Sequence, residues 1–187
     1  ADGMGVAFVA LDAADSPRLQ FMTASRSLTE PSAPTQIMFD DPDGPVVTPL
    51  NGEYVLTFHQ DSGVIGPAIY GVIIGKNGVV LGAPRSMTAG AAHARGNATY
   101  SYGDRFVMVW ADDREGTYQL YAQTFDQKLS PISGLLRVTS TMSNTLSPIV
   151  AASSDGGLGV VYTDDANATQ QTFFTRLDCQ ASQLGLK

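Results

Sequence analysis

Apolar runs that each close on an aromatic residue recur along the chain at a nearly constant distance. The closing aromatics are Phe8, Phe58, Trp110 and Tyr162, which are separated by 50, 52 and 52 residues, and each run has a glycine in or just before its opening turn. A fixed period of this length indicates a repeated structural unit that buries its apolar surface against its own copies. The pattern therefore predicts four copies of one module.

The third copy places apolar side chains on both faces of a single extended segment. Phe106, Met108 and Trp110 fall on one face, and Val107 and Val109 fall on the other. A strand that is apolar on both faces lies between two neighbouring sheets. Because no window shows helical periodicity, we predict an all-β chain with essentially no helix.

Further repeated positions indicate four short strands in each copy. A second apolar-aromatic pair follows about eleven residues after the first aromatic, at Ile69-Tyr70, Leu120-Tyr121 and Phe173-Phe174, with Phe21 slightly late in the first copy. An arginine stands 27 residues after the aromatic in two copies, at Arg85 and Arg137. Four-stranded units repeated at this spacing are typical of the blades of a β-propeller, which is the fold that we predict.

The predicted modules cover residues 1–44, 45–96, 97–147 and 148–187 of one repeat domain. The chain begins at the second strand of the first module and stops after the third strand of the last, so the first and last modules are incomplete. We therefore expect the chain to be a segment of a larger propeller, completed by another chain or by the remaining part of a parent protein.

Residues 103–126, followed by Arg137-Val-Thr and Ser147-Pro148, carry a family resemblance. They resemble repeats of large secreted and cell-surface proteins of bacteria that are distantly related to sialidase-type propeller repeats. The resemblance implies a propeller in an extracellular or envelope setting. The sialidase Asp-box is not complete, because residues 153–157 precede a second strand and lack the closing Thr-Trp, so no catalytic residue is carried over.

Composition and charge narrow the range of partners. The chain is 43% hydrophobic, its formal net charge is −7, and its Lys and Arg residues form no stripe. This argues against nucleic acid and anionic membrane surfaces, both of which attract basic proteins. The apolar run from residue 68 to 74 is too short to cross a bilayer. The single cysteine, Cys179, excludes an internal disulfide framework and is interpreted as a buried or unpaired thiol, or as one with a partner outside the chain.

Aspartates recur where equivalent strands are predicted to end. Asp61, Asp113 and Asp165 stand three residues after the aromatic, and Asp112 and Asp164 precede two of them. On a propeller these carboxylates would form a ring on one face, where they could bind a sugar or Ca²⁺, with Asp112 and Asp164 as candidate metal ligands. The alternative is structural: each aspartate accepts backbone N–H bonds and stabilises the following turn. We favour the structural interpretation, because catalysis usually needs a residue only once.

Other polar residues have structural interpretations that we prefer. Arg85 and Arg137 could form ion pairs with the repeated aspartates or could bind an acidic ligand. The only histidines, His59 and His93, lack the sequence context of a zinc site or a catalytic triad. The acidic stretch at residues 40–44 fits a solvated turn better than an EF-hand loop.

No catalytic signature is present, so we predict a binding function. The first hypothesis is a secreted or cell-surface propeller that recognises a protein or a glycan through its loops, with Asp61, Asp113, Asp165, Arg85 and Arg137 as candidate ligand-binding residues. No cofactor is expected other than Ca²⁺ on the aspartate ring. Two alternatives remain: a propeller enzyme of the glycoside-hydrolase type with carboxylates in its central channel, and a structural segment of a larger propeller assembly.

Overall fold

The computed structural model describes residues 3–25, 31–37, 39, 41–60, 67–88, 90, 93–154, 156–166 and 169–177. The regular elements of these residues are strands, which form four antiparallel sheets. In each sheet, strands that are consecutive along the chain pair with one another. The prediction of an all-β propeller built from antiparallel sheets is confirmed. Asp61 and Cys179 lie outside the described residues.

The four sheets follow one another along the chain and are numbered here in that order. Sheet 1 contains β1 (Gly3–Leu11), β2 (Pro17–Ser25) and β3 (Thr35–Ile37). Sheet 2 contains β4 (Pro42–Leu50), β5 (Glu53–Gln60), β6 (Ala68–Ile74) and β7 (Arg85–Ser86). Sheet 3 contains β8 (Ala94–Tyr102), β9 (Arg105–Asp112), β10 (Gln119–Asp126) and β11 (Leu136–Arg137). Sheet 4 contains β12 (Thr145–Ala152), β13 (Leu158–Asp164) and β14 (Gln171–Arg176).

Each pair of successive sheets encloses its own apolar core. In the core between sheets 2 and 3, β9 contributes Phe106, Met108 and Trp110. In the core between sheets 3 and 4, the same strand contributes the intervening residues Val107, Val109 and Ala111. All six side chains have no exposed surface. The strand is therefore buried on both faces, as its sequence predicts.

The repeated aromatics lie in the second strand of sheets 2, 3 and 4 and in β1, the first strand of sheet 1. In three sheets the aromatic lies directly opposite another aromatic of the third strand, in the pairs Phe58–Tyr70, Trp110–Tyr121 and Tyr162–Phe173. The ring centroids of these pairs are 6.1, 6.4 and 5.8 Å apart. Cross-strand aromatic pairs of this kind stabilise a sheet. In sheet 1 the residue opposite Phe8 is Gln20, because Phe21 lies one position further along β2.

The inner strands β4, β8 and β12 share a bulge close to their first residues. Each register shift contains a residue with positive φ, namely Gly44 at 55°, Gly96 at 51° and Ser147 at 53°. The residue with positive φ changes the direction of the inner strand locally. The residues before it then pair with the second strand again. The inner strands therefore begin at Pro42, Ala94 and Thr145, three residues before the expected module boundaries at 45, 97 and 148.

Hydroxyl and amide groups connect neighbouring sheets next to these bulges. Thr48 of β4 and Thr99 of β8 share a hydrogen bond between their hydroxyl groups, and Asn97 of β8 donates its side-chain amide to the Thr57 hydroxyl of β5. Asn97 and Thr57 are both buried. Polar groups in such positions require a partner, so these bonds restrict how the two sheets can align.

We predict that Trp110→Ala lowers the free energy of unfolding by about 3–5 kcal/mol, because it empties a site between two sheets that cannot collapse easily. Trp110 is fully buried, whereas Met142 is fully exposed at 101%. Met142→Ala is the matched control and should change the free energy of unfolding by less than about 0.5 kcal/mol. Urea denaturation of both variants tests the prediction. Equal effects of the two substitutions would contradict the burial of Trp110 between sheets.

Candidate functional site

The described candidate aspartates lie at one end of the sheets, which we call the polar end. At this end the inner strands begin and the second strands finish, as shown by the pairs Pro42–Gln60, Ala94–Asp112 and Thr145–Asp164. The described candidates Asp112, Asp113, Asp164 and Asp165 all lie here, because β9 ends at Asp112 and β13 ends at Asp164.

Asp113 and Asp165 connect the end of the second strand to the residue that precedes the inner strand. The two carboxylate oxygens of Asp113 lie 2.9 Å from the backbone nitrogen and 2.8 Å from Nδ1 of His93. The carboxylate of Asp165 accepts bonds from the backbone and side-chain nitrogens of Asn144, at 2.8 and 2.9 Å. The backbone N–H of each aspartate donates in return to the carbonyl of the same partner. Sheets 3 and 4 therefore have the same arrangement of hydrogen bonds at this position.

Asp112 and Asp164 each close the turn that follows their strand. Asp112 accepts a hydrogen bond from the backbone nitrogen of Arg114 at 2.9 Å, and Asp164 accepts one from Ala166 at 2.8 Å. Both carboxylates are buried, and each has a second partner: the Arg114 guanidinium at 2.5 Å for Asp112 and the Ser143 hydroxyl at 2.5 Å for Asp164. These bonds are the turn chemistry of the structural interpretation.

The sequence also makes the aspartate ring a candidate site for Ca²⁺. Among the described residues, no three His, Cys, Asp or Glu side chains are grouped so that they could hold a metal ion. The four described aspartates instead direct oxygens at N–H and O–H donors of the protein. The role of these residues in binding a ligand or Ca²⁺ stays a prediction.

Arg137 belongs to a small charged cluster on the third sheet. Its guanidinium pairs with Glu115 and also donates to the carbonyl of Thr139 at 2.7 Å. Glu115 accepts a second bond from the hydroxyl of Tyr121 at 3.0 Å. Burial, followed by this bond to a carboxylate, raises the pKa of Tyr121. The carboxylate partner of Arg137 is thus Glu115, whereas the sequence led us to expect a repeated aspartate.

Arg85 connects two sheets through a backbone group. Its guanidinium donates to the carbonyl of Lys128, in the turn after β10, at 3.1 Å. Arg85 and Arg137 therefore occupy equivalent strands but contact different partners. The two arginines lie in equivalent strands, but they do not form the same ion pair.

Residues that do not repeat occupy one equivalent position at the polar end. Immediately before the bulge, β4 has Asp43, β8 has Arg95 and β12 has Leu146. The side chain of Asp43 is 69% exposed, and its Oδ2 lies 3.6 Å from Nε2 of His59. Arg95 is exposed, and its guanidinium carbon lies 4.7 Å from the centre of the Tyr118 ring.

Gly44, the glycine in the bulge of β4, leaves room for the His59 ring beside Asp43. A Cβ on Gly44 would lie 2.9 Å from two atoms of the His59 ring, which is too close for any other residue without a shift. Asp43 and His59 are directly opposite across β4 and β5. The imidazole is buried, whereas the carboxylate of Asp43 faces solvent.

Sequence reasoning missed Asp43, Arg95, Tyr118 and Glu115 as site residues. Asp43 was interpreted as part of a solvated turn at residues 40–44, since its cross-strand partner depends on a bulge. Comparing the copies for positions that differ, rather than for positions that agree, would have pointed to Asp43 and Arg95.

The sequence matches no family model and no curated protein. Solved structures show similar folds. A sialidase of Trypanosoma rangeli aligns with a TM-score of 0.65 and 11% identity over 98% of this chain, which spans 31% of that protein. An endo-arabinase of Bacteroides thetaiotaomicron aligns with a TM-score of 0.60 and 15% identity, covering 96% of this chain and 76% of that one. An α-L-arabinofuranosidase of Lactobacillus brevis aligns with a TM-score of 0.59 and 13% identity, covering 92% and 68%.

These comparisons define the class of fold. The chain is a β-propeller protein, distantly similar to sialidases and to glycosidases of the family-43 kind. At such low sequence identity the likeness concerns the fold alone. Within the described residues, no helix is long and apolar enough to span a membrane.

We predict that Asp165→Asn reduces the loss of stability at acidic pH. Hydrogen bonds from the side chain and then the backbone of Asn144 lower the pKa of Asp165 in the folded protein. A carboxyl group with a lowered folded pKa stabilises the protein above its unfolded pKa of about 3.9, and this contribution disappears as the pH falls through the folded value. The fall in melting temperature from pH 5 to pH 3 should therefore be smaller in the variant.

Asp104→Asn is the control for this comparison, since Asp104 is 72% exposed and contacts Arg105 in a turn at the opposite end of the sheet. Its acid dependence should follow that of the unmodified protein. An unchanged acid dependence in Asp165→Asn would show that the Asn144 bonds do not contribute to stability.

Proposed function

We propose that the chain is a carbohydrate-recognising propeller that binds a glycan at its polar end, against the first residues of the inner strands. The observation that carries this proposal is the unrepeated set at one equivalent position, with Asp43 beside His59 on β4 and Arg95 against Tyr118 on β8. A repeated residue maintains the module, whereas a residue that differs between copies is available for recognition.

The chemistry of this set suits a polyhydroxylated ligand. The exposed carboxylate of Asp43 accepts hydrogen bonds from sugar hydroxyls, and the guanidinium of Arg95 donates them or pairs with an acidic sugar. Stacking on Tyr118 restricts the Arg95 side chain, so less conformational freedom is lost when a ligand binds. Asp113 and His93, where β8 begins, extend the polar surface next to Arg95.

The similar solved structures support a carbohydrate ligand over a protein ligand. By their descriptions, they are a sialidase, an endo-arabinase and an α-L-arabinofuranosidase. Each of those names describes an enzyme of carbohydrate chemistry. We further propose a secreted or cell-surface location, in keeping with the resemblance to repeats of bacterial surface proteins.

The proposal predicts glycan binding that depends on Arg95. Arabinan oligosaccharides and sialyllactose are the first probes, by isothermal titration calorimetry, followed by a glycan array. Arg95→Ala should weaken binding at least tenfold, which corresponds to about 1.4 kcal/mol. Arg105→Ala is the matched control, because Arg105 also lies over a tyrosine, Tyr102, but at the opposite end of β8 and β9.

Several results would decide against this proposal. Equal losses in Arg95→Ala and Arg105→Ala would remove the polar end as the binding surface. Absence of binding to every glycan tested would instead favour a protein as the ligand.

Glycoside hydrolysis is the second candidate function, and the geometry of Asp43 favours it. The carboxylate of Asp43 is exposed to a bound glycoside and lies 3.6 Å from the buried imidazole of His59. Hydrolysis of a glycosidic bond normally uses two carboxyl groups. We propose the exposed Asp41, which precedes β4, and Asp113, which follows β9 at the same end of the sheets, as candidates for the second group.

We predict that any hydrolysis of nitrophenyl arabinofuranoside or of a fluorogenic sialoside falls by about 100-fold or more in Asp43→Asn. The same substitution at Asp104 should leave the rate unchanged, since this residue lies at the other end of the sheet. A rate that is unaffected by Asp43→Asn would contradict the enzymatic role of Asp43. Glycan binding without hydrolysis would leave recognition as the function.

A further inference from the structure

A cavity of about 270 Å³ lies at the seam between sheets 2 and 3, on the side of their last strands. Ile73 and Leu81 of sheet 2 and Leu129 of sheet 3 form its apolar wall. Arg85 of β7 and Lys128, in the turn after β10, add two cations. Because sheets 2 and 3 are neighbours within the stack, a further sheet packed on sheet 1 or sheet 4 would leave this seam uncovered.

The two cations of the cavity are not neutralised by the protein. Arg85 and Lys128 are both exposed, and among the described residues neither forms an ion pair with a carboxylate. The chain nevertheless has 18 acidic residues against 11 lysines and arginines. Several other arginines do pair with carboxylates, namely Arg18, Arg105, Arg114 and Arg137. Arg85 and Lys128 are therefore accessible to an anion from solution.

A hydrogen bond holds the side chain of Arg85 at the cavity. Its guanidinium donates to the carbonyl of Lys128 at 3.1 Å, across the seam from sheet 2 to sheet 3. A guanidinium has several N–H donors in one plane, so others remain for a carboxylate. Because the side chain is already restrained by this bond, it loses less conformational freedom when an anion binds.

Both cations stand where the neighbouring copy has an uncharged residue. By strand pairing, Arg85 of β7 corresponds to Leu136 of β11. Lys128 corresponds to Asn77 in the equivalent turn of sheet 2. The module itself therefore requires neither charge, and a residue that differs between copies is available for recognition.

Leu129 completes the apolar wall in an unfavourable backbone conformation. Its φ is 62°, in the left-handed region that favours glycine, and the equivalent residue of sheet 2 is Gly78 with a φ of 81°. The Leu129 side chain is 7% exposed, and its Cδ1 lies 3.4 Å from where a Cβ of Gly71 would be. Gly71 is directly opposite Arg85. The leucine thus places apolar surface next to the strand position that carries the guanidinium.

We propose that this seam binds a small organic acid whose apolar part lies against Leu81 and Leu129 and whose carboxylate lies between Arg85 and Lys128. Leu81 is 47% exposed, so a ligand can reach the apolar wall. A carboxylate fits a guanidinium through two parallel hydrogen bonds, and an ammonium adds a further charge. The apolar wall favours an organic anion over an inorganic one, because only the organic anion removes apolar surface from water when it binds.

The size and place of the cavity define the ligand further. Small-molecule sites usually measure roughly 300–1,000 Å³, so a cavity of about 270 Å³ suits an acid of the size of phenylpropionate. The last residue of β6, Ile74, pairs with Tyr54 near the start of β5, so the turn after β6 lies at the end of the sheet opposite the polar end. The proposed acid site is therefore separate from the proposed glycan site and does not depend on it.

Titration of the isotope-labelled full chain with phenylpropionate, followed by NMR, tests the proposal. The amide signals of Arg85, Lys128 and Leu129 should shift and saturate. Phenylpropionamide has the same shape without the charge, and acetate has the charge without the apolar body. Each should bind at least tenfold more weakly than phenylpropionate, and added sodium chloride should weaken the binding of phenylpropionate by screening the two cations.

Variants of the two cations assign the binding to this seam. Arg85→Gln and Lys128→Gln should each weaken the binding of phenylpropionate by about fivefold or more. Lys76→Gln is the matched control, because it changes the net charge equally on the equivalent turn of sheet 2 but does not line the cavity. It should bind like the unmodified protein. If Arg85→Gln does not fold by circular dichroism, Lys128→Gln provides the same test, since only the backbone carbonyl of Lys128 takes part in the bond across the seam.

Each of three results would overturn the proposal. The first is the absence of saturable shifts at Arg85, Lys128 and Leu129 with phenylpropionate. The second is equal binding of phenylpropionate and phenylpropionamide, which would show that the cations do not recognise the ligand. The third is an equal effect of Lys128→Gln and Lys76→Gln, which would attribute the binding to net charge rather than to this cavity.

Discussion

The structure depends on the burial of both faces of a β-sheet between its neighbours. A strand such as β9, with Phe106 and Trp110 on one side and Val107 and Val109 on the other, has no solvent-facing surface. Removing apolar area from water contributes about 25 cal/mol per Å², and a sheet that is apolar on both faces can obtain this contribution only from sheets on both sides. The same apolar pattern therefore recurs about every 50 residues, because each module buries one face against the module before it and the other face against the module after it.

This constraint separates two kinds of polar residue at the polar end. Asp112, Asp113, Asp164 and Asp165 recur because each module must close the same turn and connect the same two strands. Their hydrogen bonds to backbone and neighbouring side chains account for their repetition. Asp43 and Arg95 occupy one equivalent position with opposite charges, and nothing in the module requires this difference. Function in a repeat protein is therefore sought where the copies disagree.

The fold could be predicted from the sequence because its signal is periodic. The phase of Phe58, Trp110 and Tyr162 determines which side chains face which neighbouring sheet, and the structure agrees. The start of the inner strands could not be predicted, because the left-handed conformation of Gly96 and Ser147 restores pairing beyond a bulge. The contacts of Arg137 with Glu115 and of Asp43 with His59 join residues that are distant in sequence or brought into register by that bulge. Such pairs depend on tertiary geometry that composition and spacing do not contain.

The central claim is that sheets 2 and 3 are each enclosed on both faces by a neighbouring sheet. Native-state hydrogen exchange measured by NMR tests it most directly, because amides of enclosed strands exchange only through global unfolding. The account predicts that the amides of β9 at Val107 and Val109 are the slowest, and that those of β14 near Phe174, whose side chain is 65% exposed, exchange much faster. Exchange at Val107 and Val109 that is as fast as at Phe174 would contradict it.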